Sequence, residues 1–190
     1  MPICKLLGQH VPPVDAVRQL CFNPDVETEA YIALGSNLGD RELNLLRAVA
    51  ELGRLPGCRV TALSGFYETA PVGMPDGTPS FYNAVLRLST TVASPLDLLH
   101  ELQRIERDLF GRSRSTTPQS RRMDLDLLLF GEQTRATEEL TLPHPRMTQR
   151  KFVLMPLLEI TPDLIDPRSG RPLRELLPTL PPDQQVRALE

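Results

Sequence analysis

The stretch RRMDLDLLLF, residues 121–130, sets two acids into an otherwise apolar strand pattern directly after a pair of arginines. Residues two apart on a strand share a face, about 6.6 Å apart at ~3.3 Å per residue, so Asp124 and Asp126 project side by side. Two such carboxylates repel one another and resist burial, which makes a bound cation or a cluster of arginines the natural compensation. Two magnesium ions about 3.5–4 Å apart, as in two-metal phosphoryl transfer, can be held by a pair of this kind. The plain alternative is an edge strand whose acids face water.

Upstream of the acid strand, SPLDLLHELQRIERDLFG (94–111) carries the marks of a helix. Ser94 caps it, Pro95 takes the first position, Asp97 completes a capping-box pattern and Gly111 closes it. Its apolar stripe reads Leu98, Leu99, Leu102, Ile105 and Leu109. Further back come a strand at 30–34 (AYIAL), the turn GSNLGD, and a helix with Asp40 as N-cap and Gly53 or Gly57 as stop, in which Leu43, Leu46, Ala50 and Leu45, Val49, Leu52 recur at helical spacing. A strand over CRVTALSGFYET, a loop APVGMPDGTPS and a strand FYNAVLRLST fill the gap. Downstream, Gly131 and Glu132 turn the chain and ELTLPH reads as the returning strand of a hairpin. MTQRKFVLMPLLEI reads as helical despite Pro156, PLRELL as a short helix, and PPDQQVRALE as a frayed tail.

The order β-α-β-β-α-β implies an α+β fold: a ferredoxin-like antiparallel sheet with helices packed on it, plus a late β-hairpin. Residues 1–28 show no sustained period and carry Pro12, Pro13 and Pro24, so they read as an N-terminal extension, with a short helix near VDAVRQLCF. Residues 29–178 form the domain and 179–190 a C-terminal tail.

Composition narrows the function. Apolar residues make up 41% and charged residues 24%, as in a folded globular chain rather than a disordered one. A net charge of −3 argues against a general nucleic-acid or anionic-membrane surface, and an RNP-type aromatic pattern is missing. No apolar run approaches the ~20 residues that span a bilayer, so the expected setting is cytoplasmic, with no nucleic acid or membrane as partner. Cys4, Cys21 and Cys58 are odd in number and widely spaced, which points to reduced thiols. Ordinary packing outweighs a metal site at Cys4, His10 and Cys21, whose spacing fits no finger pattern.

Around the acids the charge alternates: Arg112, Arg114, Arg121 and Arg122 stand against Asp124 and Asp126, and Arg146 and Arg150 follow the hairpin. A polyphosphate with its metal ions asks for carboxylates toward the metals and guanidinium forks toward phosphate oxygens. A solvated, solubilising loop is the alternative for the arginines. GSNLGD lacks the Walker and dinucleotide patterns and reads as a tight connection. His144, fixed between Pro143 and Pro145, suits a phosphate ligand or proton donor, although a lone histidine is more often structural.

AYIALGSNLGD, FYETAPVG, PSFYNAVLRL, QRIE, the RxR at 112–114, RRMDLDLLLFG and LTLPHPRMTQRKFVLMPLLEI, in that order, resemble the 6-hydroxymethyl-7,8-dihydropterin pyrophosphokinase family of folate biosynthesis. The resemblance spans residues 29–178. It implies transfer of pyrophosphate from ATP to 6-hydroxymethyl-7,8-dihydropterin, with AMP released, by a monomer that uses two Mg²⁺ ions. Asp124 and Asp126 then match the metal-binding carboxylates. Arg112, Arg121 and Arg150 match phosphate-binding and catalytic arginines, with Arg114 beside them, and His144 a phosphate-contacting histidine. Phe81 and Phe152 match the aromatic pair that sandwiches the pterin, Asn83 the amide that reads its edge, and Thr69 and Val72 its backbone wall. Gln103, Glu106, Leu127 and Thr141 fall on the nucleotide side. Without the resemblance, Phe81 and Phe152 read as core and Gln103 and Glu106 as a solvated helix face.

The chain departs from the family in one loop. Where the family usually carries Trp-Gly-Pro-Arg on a mobile segment, this chain has Pro118, Gln119, Ser120 and Arg121. The family's frequent proline after Thr69 is Ala70. The alternative function is therefore a catalytically weakened or substrate-shifted paralogue that acts as a pterin- or nucleotide-binding protein.

Overall fold

A computed structural model describes residues 27–71, 75, 77–111 and 120–189. The N-terminal helix near VDAVRQLCF, the Cys4, His10 and Cys21 set, Val72, Arg112, Arg114, Pro118 and Gln119 lie outside the described residues.

Strand β1 (Thr28–Ser36) leads through the GSNLGD turn into α1 (Arg41–Arg54). Asp40 caps that helix as expected, its carboxylate accepting from Leu43 N at 3.0 Å. Of the two interleaved apolar stripes, only the one through Leu45 and Leu52 is buried; Leu43 and Leu46 face outward, 41% and 46% exposed. The helix closes at Leu55 rather than at a glycine. Next come β2 (Cys58–Leu63), β3 (Tyr67–Thr69), β4 (Phe81–Thr90) and α2 (Pro95–Phe110). In α2 the Ser94 cap, Pro95 and a left-handed Gly111 (φ 66°) stand as the local signals predict. Its stripe ends on buried Phe110, and Leu109 is exposed.

The acid strand is β5 (Asp124–Phe130), and the main sheet runs β5-β1-β4-β3, all antiparallel, with β2 also paired to β4. The sequence pattern predicts one continuous strand over 58–69; the chain instead breaks between β2 and β3. Glu159 is the cause, because its carboxylate takes the Gly65 amide at 3.0 Å and the Tyr67 hydroxyl at 2.7 Å. The same contact, after burial itself, pushes the Tyr67 phenol up to about 12.

Layers cover both faces of the sheet. Leu45, Ala48 and Leu52 of α1 and Leu98, Leu102 and Ile105 of α2 close over Ile32, Leu34, Leu86 and Leu88. On the opposite face, α3 (Lys151–Ile160) sets Val153, Leu154 and Leu157 over Tyr31, Val85 and Leu128. Central strands buried on both sides carry near-continuous apolar runs, as in FYNAVLRL. Pro156 sits inside α3, which begins after a 3₁₀ turn at Met147–Gln149.

Three expectations need correction. The returning strand of the late hairpin, β7 (Thr141–Leu142), pairs with a two-residue β6 (Arg135–Ala136) and not with the acid strand; two residues beyond it, the His144 amide donates to the Leu128 carbonyl at 2.9 Å. PLRELL forms a 3₁₀ turn at Leu173–Glu175, followed by a second at Leu177–Thr179, because Pro178 has no amide to donate to the Arg174 carbonyl as a continuing α-helix would require. The end of the chain is not frayed: β8 (Val186–Ala188) pairs with β3, and Gln184 bonds the Lys151 amide and the Gln149 carbonyl at 2.7 and 3.0 Å. Edge backbone groups of β3 are thereby satisfied.

Candidate active site

Alternation on β5 decides which side chains meet. Leu125 and Leu127 enter the core beneath α1 and α2, while Asp124 and Asp126 point to the α3 side with Leu128. Sheet register extends that row sideways: Asp124 pairs with Gly35, Gly35 with Asn83, and Asn83 with Tyr67. Phe81 lies two residues before Asn83 on the same face of β4 and pairs with Thr69.

Each acid has its own cationic neighbour. Arg121 Nη1 lies 2.7 Å from Asp124 Oδ1, with both side chains about a quarter exposed. Arg150 Nη1 lies 3.8 Å and His144 Nε2 4.0 Å from Asp126 Oδ2. His144 is held well below its ordinary range, at about 4, by burial first and then by Arg150 and Arg146, which outweigh the Asp124 carboxylate. At neutral pH its ring is uncharged. The Arg146 amide donates to His144 Nδ1 at 3.3 Å, so the ring proton belongs on Nε2, facing Asp126. Burial lowers the Arg150 guanidinium as well, which nevertheless remains charged.

Beside the acids, on the same row of the sheet, stands a buried amide. Asn83 is 5% exposed and its Nδ2 donates to Thr69 Oγ1 at 2.9 Å. Gly35 forms the floor between Asn83 and Asp124: a Cβ there would sit 3.5 Å from Asn83 Oδ1, 3.8 Å from Asp124 Cβ and 4.0 Å from Phe81 Cδ1. Phe152 enters from the start of α3, and the Arg150 guanidinium lies 5.5 Å from its ring centroid.

Glu106 is 5% exposed, and its Oε1 accepts from the amide of Leu125, between the two aspartates, at 2.7 Å. It braces the acid strand from behind and is no solvated helix face. Leu127 is 3% exposed, with its side chain in the core and its backbone on the acid strand. Gln103 stands one turn before Glu106 on α2, and Thr141 opens β7.

The sequence pattern does not single out Asn37, in the GSNLGD turn. Its amide group is buried and bonded to Ser120 and Arg121, partners that the turn pattern does not foretell. The polar pair Ser36 and Asn37 at the end of a buried strand is the one signal that points to it.

Residues 31–162 match the family model of 7,8-dihydro-6-hydroxymethylpterin-pyrophosphokinase (HPPK). The chain belongs to this family. Among HPPK relatives, the 2-amino-4-hydroxy-6-hydroxymethyldihydropteridine pyrophosphokinase of Bacillus subtilis is 48% identical over 69% of this chain and 77% of its own length. The Pseudomonas aeruginosa protein of the same name is 45% identical, over 80% of this chain and 91% of its own. The folic acid synthesis protein fol1 of Schizosaccharomyces pombe is 40% identical over 80% of this chain, which spans only 20% of that longer protein. In fold, the chain matches a crystal structure of Plasmodium falciparum HPPK-DHPS with a TM-score of 0.64 at 16% identity, covering 81% of this chain and 44% of that one. The ferredoxin-like arrangement of the HPPK family is thus the one seen here.

Proposed function

We propose that the chain transfers the β,γ-pyrophosphoryl group of ATP to the hydroxymethyl oxygen of 6-hydroxymethyl-7,8-dihydropterin, giving AMP and the pterin diphosphate in folate biosynthesis. Family membership supports the reaction. The observation that carries the site is the pair Asp124 and Asp126 on one face, with Arg121 2.7 Å from the first and Arg150 3.8 Å from the second.

The hydroxymethyl oxygen attacks the β-phosphorus in line, a new P–O bond forms as the hydroxyl proton passes to solvent, and the bond from that phosphorus to the α,β-bridging oxygen breaks, the oxygen and its electron pair leaving with AMP. Charge on the transferring group is met by Arg121 and Arg150, with Arg112 and Arg114 assigned to the same task. Neutral His144 offers Nε2–H to a phosphate oxygen without adding charge. The pterin lies between Phe81 and Phe152, its edge read by Asn83 and walled by Thr69 and Val72. Gln103, Glu106, Thr141 and the backbone of Leu127 are assigned to the nucleotide side.

Among the described residues no group of three or more His, Cys, Asp or Glu stands together as a metal cage. Two carboxylates alone fit magnesium that arrives on a nucleotide, since this ion keeps waters and phosphate oxygens around one or two protein carboxylates. Asp124 and Asp126 would hold two such ions. When bound, they neutralise phosphate charge and lower the pKa of a coordinated hydroxyl.

Among the described residues no helix is long and apolar enough to cross a membrane. ATP-dependent folate synthesis supports the cytoplasm as its place. Nothing observed favours a weakened paralogue. Incubation with MgATP and 6-hydroxymethyl-7,8-dihydropterin tests the proposal: AMP and pterin diphosphate are expected, and release of ADP or no turnover overturns it.

A further inference from the structure

Asn37 ends up where two arms of the site meet. The residue is only 1% exposed. Its Oδ1 accepts from the Arg121 amide at 2.7 Å, while its own amide donates to the Arg121 carbonyl at 3.0 Å. Both backbone groups of Arg121 are thus clamped by one residue. From the other end of the side chain, Nδ2 donates to Ser120 Oγ at 3.1 Å and, at a longer 3.4 Å, to the Pro79 carbonyl. Pro79 is two residues ahead of Phe81.

An asparagine that merely shapes a turn bonds backbone a few residues away. Here the side-chain partners are 42, 83 and 84 residues distant in sequence. Asparagine is also the side chain of this length that can both accept from Arg121 and donate to Ser120 and Pro79. Aspartate cannot donate, and glutamine is one methylene too long.

We propose that Asn37 is a positioning residue that fixes the Arg121 backbone so that its guanidinium stands over Asp124, and that ties this arm to the pterin-side entry of β4 through Pro79. The inference rests on the reading of Arg121 and Asp124 as the phosphate-side pair. Rotation of Arg121 about an unclamped backbone would carry its guanidinium off the line of transfer, a displacement that costs rate more than binding.

A double-mutant cycle on the full chain tests this, with MgATP and 6-hydroxymethyl-7,8-dihydropterin as substrates and binding of an unreactive ATP analogue measured in parallel. Asn37→Ala is expected to lower kcat at least about tenfold in the native background and to cost less than about twofold in an Arg121→Gln background. Equal factors in the two backgrounds overturn the proposal, since a purely structural role would act in both. If Asn37→Ala does not fold, Asn37→Asp, which keeps the shape and the acceptor but loses the donors, is read in the same cycle. Should Arg121→Gln fall below steady-state detection, the cycle is read from single-turnover rates with excess enzyme, with the same non-additivity expected. If Arg121→Gln alone is silent in both readouts, the phosphate-side reading has failed; if it is crippled while both Asn37 variants match wild type, only the present inference has failed.

Discussion

Asp124 and Asn83 occupy one row of the sheet, two strands apart, with Gly35 paired to both. At ~4.8 Å per strand their backbones are about 10 Å apart, a span suited to a two-ring heterocycle whose edge meets the amide while its hydroxymethyl arm reaches the acid. Gly35 keeps that span open.

Gly35→Val should therefore separate the two substrates. Its Cβ meets only ordinary contacts, the nearest 3.5 Å away at Asn83 Oδ1, so the strand still forms, but the two methyl groups stand between Asn83 and Asp124. The KM for the pterin is expected to rise by about tenfold or more while affinity for an ATP analogue stays within about threefold. Steady-state kinetics and calorimetric titration give the two numbers.

Asp126→Ala should nearly abolish turnover, by about 10²-fold or more, while leaving the fold intact. Near-normal AMP formation in this variant would remove the acid pair from the chemistry.

Glu106 should matter to the fold even without substrates. Replacing it by leucine strands the Leu125 amide that it now accepts from at 2.7 Å in a buried site. A loss of about 1–3 kcal/mol is expected, with glutamine costing less because it keeps an acceptor. Chemical unfolding in urea measures both.

His144 supplies a pH signature. Its folded value of about 4 lies below the ordinary 6.5, so between these values the unfolded chain takes up a proton that the folded chain refuses. Stability from this group is complete above pH 6.5 and declines as pH falls toward 4, by at most about 3 kcal/mol. The drop in unfolding free energy between pH 7.5 and 4.5 should be smaller in His144→Gln than in the wild type; an equal drop would place the lost stability elsewhere.

Features written in short range are legible in the residue order itself: the caps of α2 at Ser94 and Gly111, Asp40 at the start of α1, and the same-face acids of β5. Those decided by distant partners are not. Glu159 breaks the strand at Gly65 from 94 residues away. Strand β8 forms because β3 offers it unpaired backbone, a demand that leaves no trace in the composition of QQVRALE. Asn37 reads as turn chemistry because the order of the chain hides Ser120 and Arg121 from it. Glu106 reads as solvated because its partner is a backbone amide, which has no sequence signature.

Arg150 is the N-cap of α3 and Phe152 its second residue, with the guanidinium 5.5 Å from the ring centroid. Displacing the Phe152 ring therefore alters the contact that this guanidinium makes with it. A flat inhibitor wedged against Phe152 should accordingly change potency with nucleotide load, so screening against the empty protein would rank such compounds differently from screening against the ATP-charged one.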